Sequence, residues 1–182
     1  MLRKYIVVLL AVALFAALAT TAWAANERNF IAQLSGENAG HPESPARGVT
    51  IFHLNKAGDE LSYKLIVANL DNVTVAHIHL TPAPGPVVAW LYPDAPPTGT
   101  PPSSWIPGTF SGVLFEGVIT QSDLVGPLAG MTLDDLLTAM RTDGAYVNVH
   151  TNDFVAPINT GPGDFPAGEI SGTIMQHGGP MD

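Results

Sequence analysis

Two histidines close one apolar run of this chain, and a third closes another. Val73–Leu80 reads VTVAHIHL and Tyr146–Thr151 reads YVNVHT. Both runs are rich in the β-branched residues that suit a pleated chain. In a strand, residues two apart point to the same face, about 7 Å apart along the backbone. His77 and His79 therefore lean together and can share one metal ion. A His-x-His pair joined by a distant strand-end histidine is the sparse donor set of a copper or zinc site. His77, His79 and His150 are thus the candidate metal ligands, with copper the first expectation and zinc the alternative. The competing reading of the same residues is a hydrogen-bonded polar cluster on a solvent-facing strand.

Other strands must hold those two ends side by side. Phe30–Leu34 is a short apolar run, and residues 36–48 are loop by composition. Val49–Leu54 alternates, with Phe52 and Leu54 on one face and His53 on the other. Lys56–Asp59 reads as a hairpin turn, followed by Leu61, Tyr63, Leu65 and Val67 in period-two alternation. Asn69–Asn72 reads as a further turn before VTVAHIHL, which makes an antiparallel meander. Residues 81–109 contain nine prolines. They enclose one strand-like piece, Pro86–Leu91, and read otherwise as a long ordered loop that is the natural cover for the histidines. Phe110–Ile119 and Gly168–Met175 complete the strands.

One helix is expected. Thr132 caps it, Asp134 and Asp135 suit its N-terminal end, and Leu133, Leu136, Leu137 and Met140 form one apolar face. Seven or eight short strands with one helix and many Gly/Pro turns imply an all-β fold, an antiparallel Greek-key β-sandwich.

The first residues read differently. Arg3 and Lys4 precede the apolar run Tyr5–Leu18, and Ala22-Trp23-Ala24 follows: the pattern of a secretory signal peptide cleaved after Ala24. The alternative for that run is an uncleaved membrane anchor. The expected organisation is a signal peptide at 1–24 and one domain at 25–182 with its core at 30–175, in a periplasmic or secreted protein. Removing the leader leaves five basic against sixteen acidic residues, a net charge of −11. Such a balance gives no electrostatic case for nucleic acid or an anionic membrane as partner. The partners left are a metal ion and an exported protein. With no cysteine in the chain, any metal site must be built from histidine and carboxylate.

A fourth ligand would come from His53 or His41. A meander alternates direction, so His53 is expected at the same end as His79, and His41 at the other. His177 reads as tail. Glu169 could orient an imidazole or pair with an arginine such as Arg141. Tyr146 and Asn148 share the face of His150 and could support it from behind.

The ordered set GVTIFHL, LSYKLIVANL, VTVAHIHL, LLTAMRTDGAYVNVHT and FPAGEISGTI resembles the CHRD domain, from about Phe30 to Ile174. That resemblance implies an immunoglobulin-like or superoxide-dismutase-like sandwich of the exported bacterial kind. Three departures stand out. Ala39–Ala46 replaces an acidic-Val-Pro-Pro pattern, Ser171 stands in place of the arginine of GEIRG, and the connection from His150 to Gly168 is long. The H-x-H strand with a later V-x-V-H also resembles the copper strands of Cu/Zn superoxide dismutases, as an analogy of fold and site.

Three functions follow. The first is an exported, non-catalytic domain binding copper or another divalent ion in storage, delivery or tolerance. The second is a metal-free structural or partner-binding module that uses Trp90, Tyr92 and Trp105 as a contact surface. The third is dismutase-like redox activity. It is weakened because no histidine lies between His79 and His150 to build a zinc subsite, and no hydrolase or phosphate-loop motif occurs.

Overall fold

Alternation of apolar and polar residues becomes seven strands in the computed structural model, which describes residues 28–177. The expected leader, 1–24, and the last five residues lie outside the described range. The strands are β1 (Asn29–Ser35), β2 (Arg47–Leu54), β3 (Leu61–Leu80), β4 (Val87–Tyr92), β5 (Ile106–Ile119), β6 (Ala145–Thr151) and β7 (Ile170–Gln176). Every pairing is antiparallel. The expected all-β class is borne out. The order β2-β1-β7-β6-β3 closes on itself, because β3 also pairs with β2, while β4 and β5 add to β3.

β3 is the element that makes this closure possible, and it departs from the expected pair of strands. It runs unbroken for 20 residues. Its first part, Leu61–Ala68, lies against β2, and its last part, Val73–Leu80, lies against β6. Between them Asn69 and Asn72 take φ of 54° and 52°, the left-handed region that asparagine tolerates better than most residues. The asparagines bend the strand instead of reversing it, so its first part pairs with β2 and its last part with β6. The Asn72 side chain fastens the bend: its Nδ2 donates to Gly163 O at 3.2 Å and its Oδ1 accepts from Gly108 N at 2.9 Å.

The inward positions form one core. Phe30, Phe52, Leu61, Leu65, Leu70, Ile78, Leu91, Ile119 and Ile170 are fully buried. Burying each such side chain contributes about 1.5–3 kcal/mol before the entropy of ordering it is subtracted. Helix α2 (Leu133–Arg141) closes one side of this core with Leu133, Leu136, Leu137 and Met140. At its start the Asp135 carboxylate accepts from the Thr132 N–H at 2.8 Å and from the Thr132 hydroxyl at 2.6 Å. A single helical turn, α1 (Gly36–Ala39), stands where only loop is expected. Ser35 caps it by accepting the Asn38 N–H at 3.2 Å. Pro107 falls inside β5 rather than the loop before it. Its missing N–H is tolerated because β5 pairs with β3 alone.

Candidate metal centre

The three strand-end histidines meet. Val75 to Leu80 run in unbroken register against His150 to Ala145, so the two apolar runs lie side by side, the end of each against the start of the other. Ile78, Val147 and Val149 fill the core side and are fully buried, and Leu80 is partly so. The opposite side therefore collects His77, His79 and His150. Each offers one ring nitrogen such that all three lie within 4.8 Å of one another. Three imidazoles holding one ion at about 2.0 Å need nitrogens about 3.3 Å apart in tetrahedral geometry. Closing the difference takes a shift of about an ångström or a small ring rotation.

On the other flank the β3–β4 ladder is irregular between Ala76 and His77 and again between Ile78 and His79. Such irregularities re-aim side chains and end regular pairing. Here they draw the start of the Pro-rich segment over the rings. His79 Nδ1 lies 2.8 Å from Gly85 O, and Tyr146 stacks on the His79 ring while its hydroxyl accepts from Gly85 N at 3.1 Å. Trp90 meets the His77 ring edge-on, with centroids 4.3 Å apart. The two ends of the remaining stretch are also tied inward. Ser104 Oγ donates to Thr74 O at 2.6 Å, Tyr92 OH to Ser104 O at 2.6 Å, and Trp105 Nε1 to Asn152 O at 3.1 Å. The start of the segment covers the rings, and residues 94–103 between these ties are mostly exposed.

Tautomers follow from the partners. A carbonyl oxygen only accepts, so the nitrogen facing it carries the hydrogen. His79 Nδ1 faces Gly85 O, and His150 Nδ1 faces Pro166 O at 2.9 Å. The Nε2 of each ring then carries a lone pair. His150 Nε2 sits 3.2 Å from His77 Nδ1, which must donate to it. His77 Nε2 is left with a lone pair as well. His77 Nε2 and His79 Nε2 are both buried with no hydrogen-bond partner. Orphaned buried acceptors of this kind are costly, and neutral imidazole nitrogens are what a soft or borderline cation takes.

The electrostatics agree. Burial holds His77 down to about 3, with repulsion from His150 and His79 adding to it. Burial also brings His150 down to about 4, against the opposing hydrogen bond to Pro166. His79 is lowered by burial too, again opposed by its carbonyl partner, Gly85. All three rings are neutral at pH 7, the form that binds metal.

The remaining sequence-level candidates fall elsewhere. His53 pairs with Ser62 at the start of β3, the far end from His79, and its Nδ1 lies 2.7 Å from Asn29 Oδ1. Its expected place beside His79 fails because β3 does not turn at Asn69–Asn72. His41 stacks on Phe165 at 3.7 Å, next to the Pro166 carbonyl that holds His150, and so lies nearer the site's rim than expected. Neither belongs to the cluster. His177 donates its backbone N–H to Asn29 O at 2.8 Å.

Glu169 meets neither a histidine nor Arg141, which pairs with Asp134 at 3.3 Å. Fully buried, its Oε1 accepts from Ser44 Oγ at 2.5 Å, and its Oε2 from Thr151 Oγ1 at 2.7 Å and Gly163 N at 2.8 Å. It fastens the long 152–168 connection whose Pro166 carbonyl orients His150. Sequence reasoning missed this clamp. The available signal was a glutamate between Gly168 and Ile170 in an otherwise apolar strand entry.

A family model for the CHRD domain matches residues 30–157, well over half of the chain. The chain belongs to the CHRD domain family. The match spans β1 to just beyond β6 and includes all three histidines. Glu169 and β7 lie past its end, and β7 pairs into the same sheet. No curated protein matches the chain. Two of the departures from the CHRD pattern meet in space: the 39–46 stretch supplies Ser44, the long connection supplies Gly163, and both bind Glu169.

Proposed function

We propose that this CHRD domain protein is exported and binds a single copper ion, or failing that zinc, through His77, His79 and His150, without catalysing a reaction. The observation that carries the reading is the convergence of three neutral imidazoles whose ligand atoms lie within 4.8 Å, two of them with a buried, unpartnered Nε2. Nitrogen-only donors suit copper and zinc, and divalent copper sits at the top of the affinity order for such sites. The second-layer contacts are of the type that orients metal-bound histidine: a backbone carbonyl on the free Nδ1 of His79 and of His150. Export rests on the leader-like pattern of residues 1–24.

The contact-surface reading is less well supported. Trp90, Tyr92 and Trp105 are each partly buried, and each makes its ring contact or hydrogen bond inward.

The test is equilibrium dialysis of the full chain against Cu(II), Cu(I) under reducing conditions, and Zn(II), followed by metal analysis. One ion per chain is expected, falling to background in a His77→Ala/His79→Ala double variant. A double variant that retains as much metal as the wild type removes the proposal.

A further inference from the structure

One more acceptor beside the cluster lacks a donor. Asn148 stands directly across the β3–β6 ladder from His77 and between Tyr146 and His150 on β6. It is 7% exposed. Its Nδ2 donates to Ala167 O at 3.0 Å. That bond sets which end of the amide is which, because a carbonyl partner can only accept. The amide also lies flat on Gly168: a Cβ there would come within 2.1 Å of both Oδ1 and Nδ2. The side chain is thus locked at one end and pressed from behind. Its Oδ1 is buried with no partner.

Oδ1 of Asn148, Nε2 of His77 and Nε2 of His79 are three buried, unpartnered lone-pair atoms on residues that share one face of the β3–β6 pair. None carries a hydrogen, so they cannot satisfy each other. A copper or zinc ion prefers the imidazole nitrogens to a neutral amide oxygen, which suits harder ions. The missing group on the carbonyl side is a hydrogen-bond donor. We infer that Asn148 is a positioning residue of the centre, its Oδ1 accepting a hydrogen bond from a water molecule that fills the ion's fourth position beside the three imidazoles. This inference rests on the metal reading above and adds that the centre is open, a three-ligand site with an exchangeable position. An amide here holds the water without adding charge to the ion, as a carboxylate would.

The experiment uses Co(II) as the probe on the full chain, with dissociation constants from competition and visible absorption bands of the bound ion. Asn148→Leu removes the acceptor at similar bulk, and Asn148→Asp makes it anionic. Expected are a loss of at least about tenfold in Co(II) affinity for Asn148→Leu, the scale of outer-layer substitutions, with altered bands, and tighter binding for Asn148→Asp. Opposite signs for the two variants are not produced by a merely structural asparagine, whose loss would weaken both. Should the leucine variant fail to fold, Asn148→Ser takes its place and is expected to bind more weakly than wild type. Affinities within about twofold of wild type and unchanged bands in every folded variant overturn the inference while leaving the three-histidine site standing. A wild-type protein that binds none of Co(II), Cu(II) and Zn(II) overturns both.

Discussion

His77 Nδ1 stands 3.2 Å from His150 Nε2 across the β3–β6 ladder. Because His150 gives its only ring hydrogen to Pro166 O, the bond between the two rings runs from His77 to His150. The pair is therefore a neutral, oriented unit in the absence of metal. An ion that takes His150 Nε2 must replace that hydrogen bond, and His77 must then either swing its Nε2 lone pair round to the ion by ring rotation or free Nδ1 by moving its hydrogen to Nε2. The site is assembled but latched, and the latch is one hydrogen bond.

The metal-free protein should lose stability on mild acidification. The unfolded-state value of histidine is about 6.5, whereas burial holds His77 at about 3 and His150 at about 4. Below pH 6.5 the unfolded chain takes up protons that the folded chain refuses, so unfolding gains. The stabilisation is fully present above about pH 6.5 and is lost progressively as pH falls towards 4 and 3. Each histidine contributes a slope of up to about 1.4 kcal/mol per pH unit within that window. Urea unfolding curves between pH 8 and 4 measure it. A flat stability from pH 7 down to 5, or imidazole resonances of His77 and His150 titrating near 6.5, would contradict the arrangement.

How much of this was legible in the sequence differs from residue to residue. Leu61, Tyr63, Leu65 and Val67 alternate with polar neighbours, and all four are buried. Period two is enough to read a half-buried strand. The same rule put His77 and His79 on one face, and the apolar pattern of YVNVHT put His150 on the matching face of its strand. The bend of β3 was not legible. Asn-Leu-Asp-Asn has the composition of a turn, and asparagine with positive φ serves a turn or a kink equally well. Reading a turn there reverses the direction of every earlier strand, which is why His53 lands at the wrong end. The Glu169 clamp was hidden for another reason: Ser44 and Glu169 are 125 residues apart, and no local pattern links them.

Glu169 should matter more to stability than any surface ion pair. Glu169→Ala leaves the Ser44 and Thr151 hydroxyls and the Gly163 N–H facing a cavity. Losing buried partners of this kind should cost about 2–4 kcal/mol. Arg141→Ala breaks only an exposed contact with Asp134 and should cost under about 0.5 kcal/mol. Chemical denaturation of the two variants checks the contrast. Equal effects would mean that the carboxylate does not hold the 152–168 connection.

Asn69 offers a test of the bend. Its φ of 54° lies in the left-handed region, and it is exposed. Glycine adopts that backbone freely, so Asn69→Gly should fall within about 0.5 kcal/mol of wild type. Valine is β-branched and resists it, and Asn69→Val should cost about 1–2 kcal/mol. Thermal unfolding that ranks the two variants the other way would show β3 to run straight through this position.

Metal binding should release few protons. Three ordinary histidines at pH 6.5 are each about half protonated, and loading a cation onto them expels about 1.5 protons. In this protein burial has already removed those protons: His77 and His150 lie more than two units below that pH, and His79 is lowered in the same direction. A ring that only changes tautomer moves its hydrogen without releasing it. Zn(II) or Cu(II) titrated at pH 6.5 in two buffers of different ionisation enthalpy should therefore give nearly the same observed heat per ion, corresponding to well under one proton released from the rings. The His77→Ala/His79→Ala double variant should show no saturable heat at all. If wild type instead releases one proton or more at this pH, the rings were not held neutral, and their burial as a preformed lone-pair cluster is wrong.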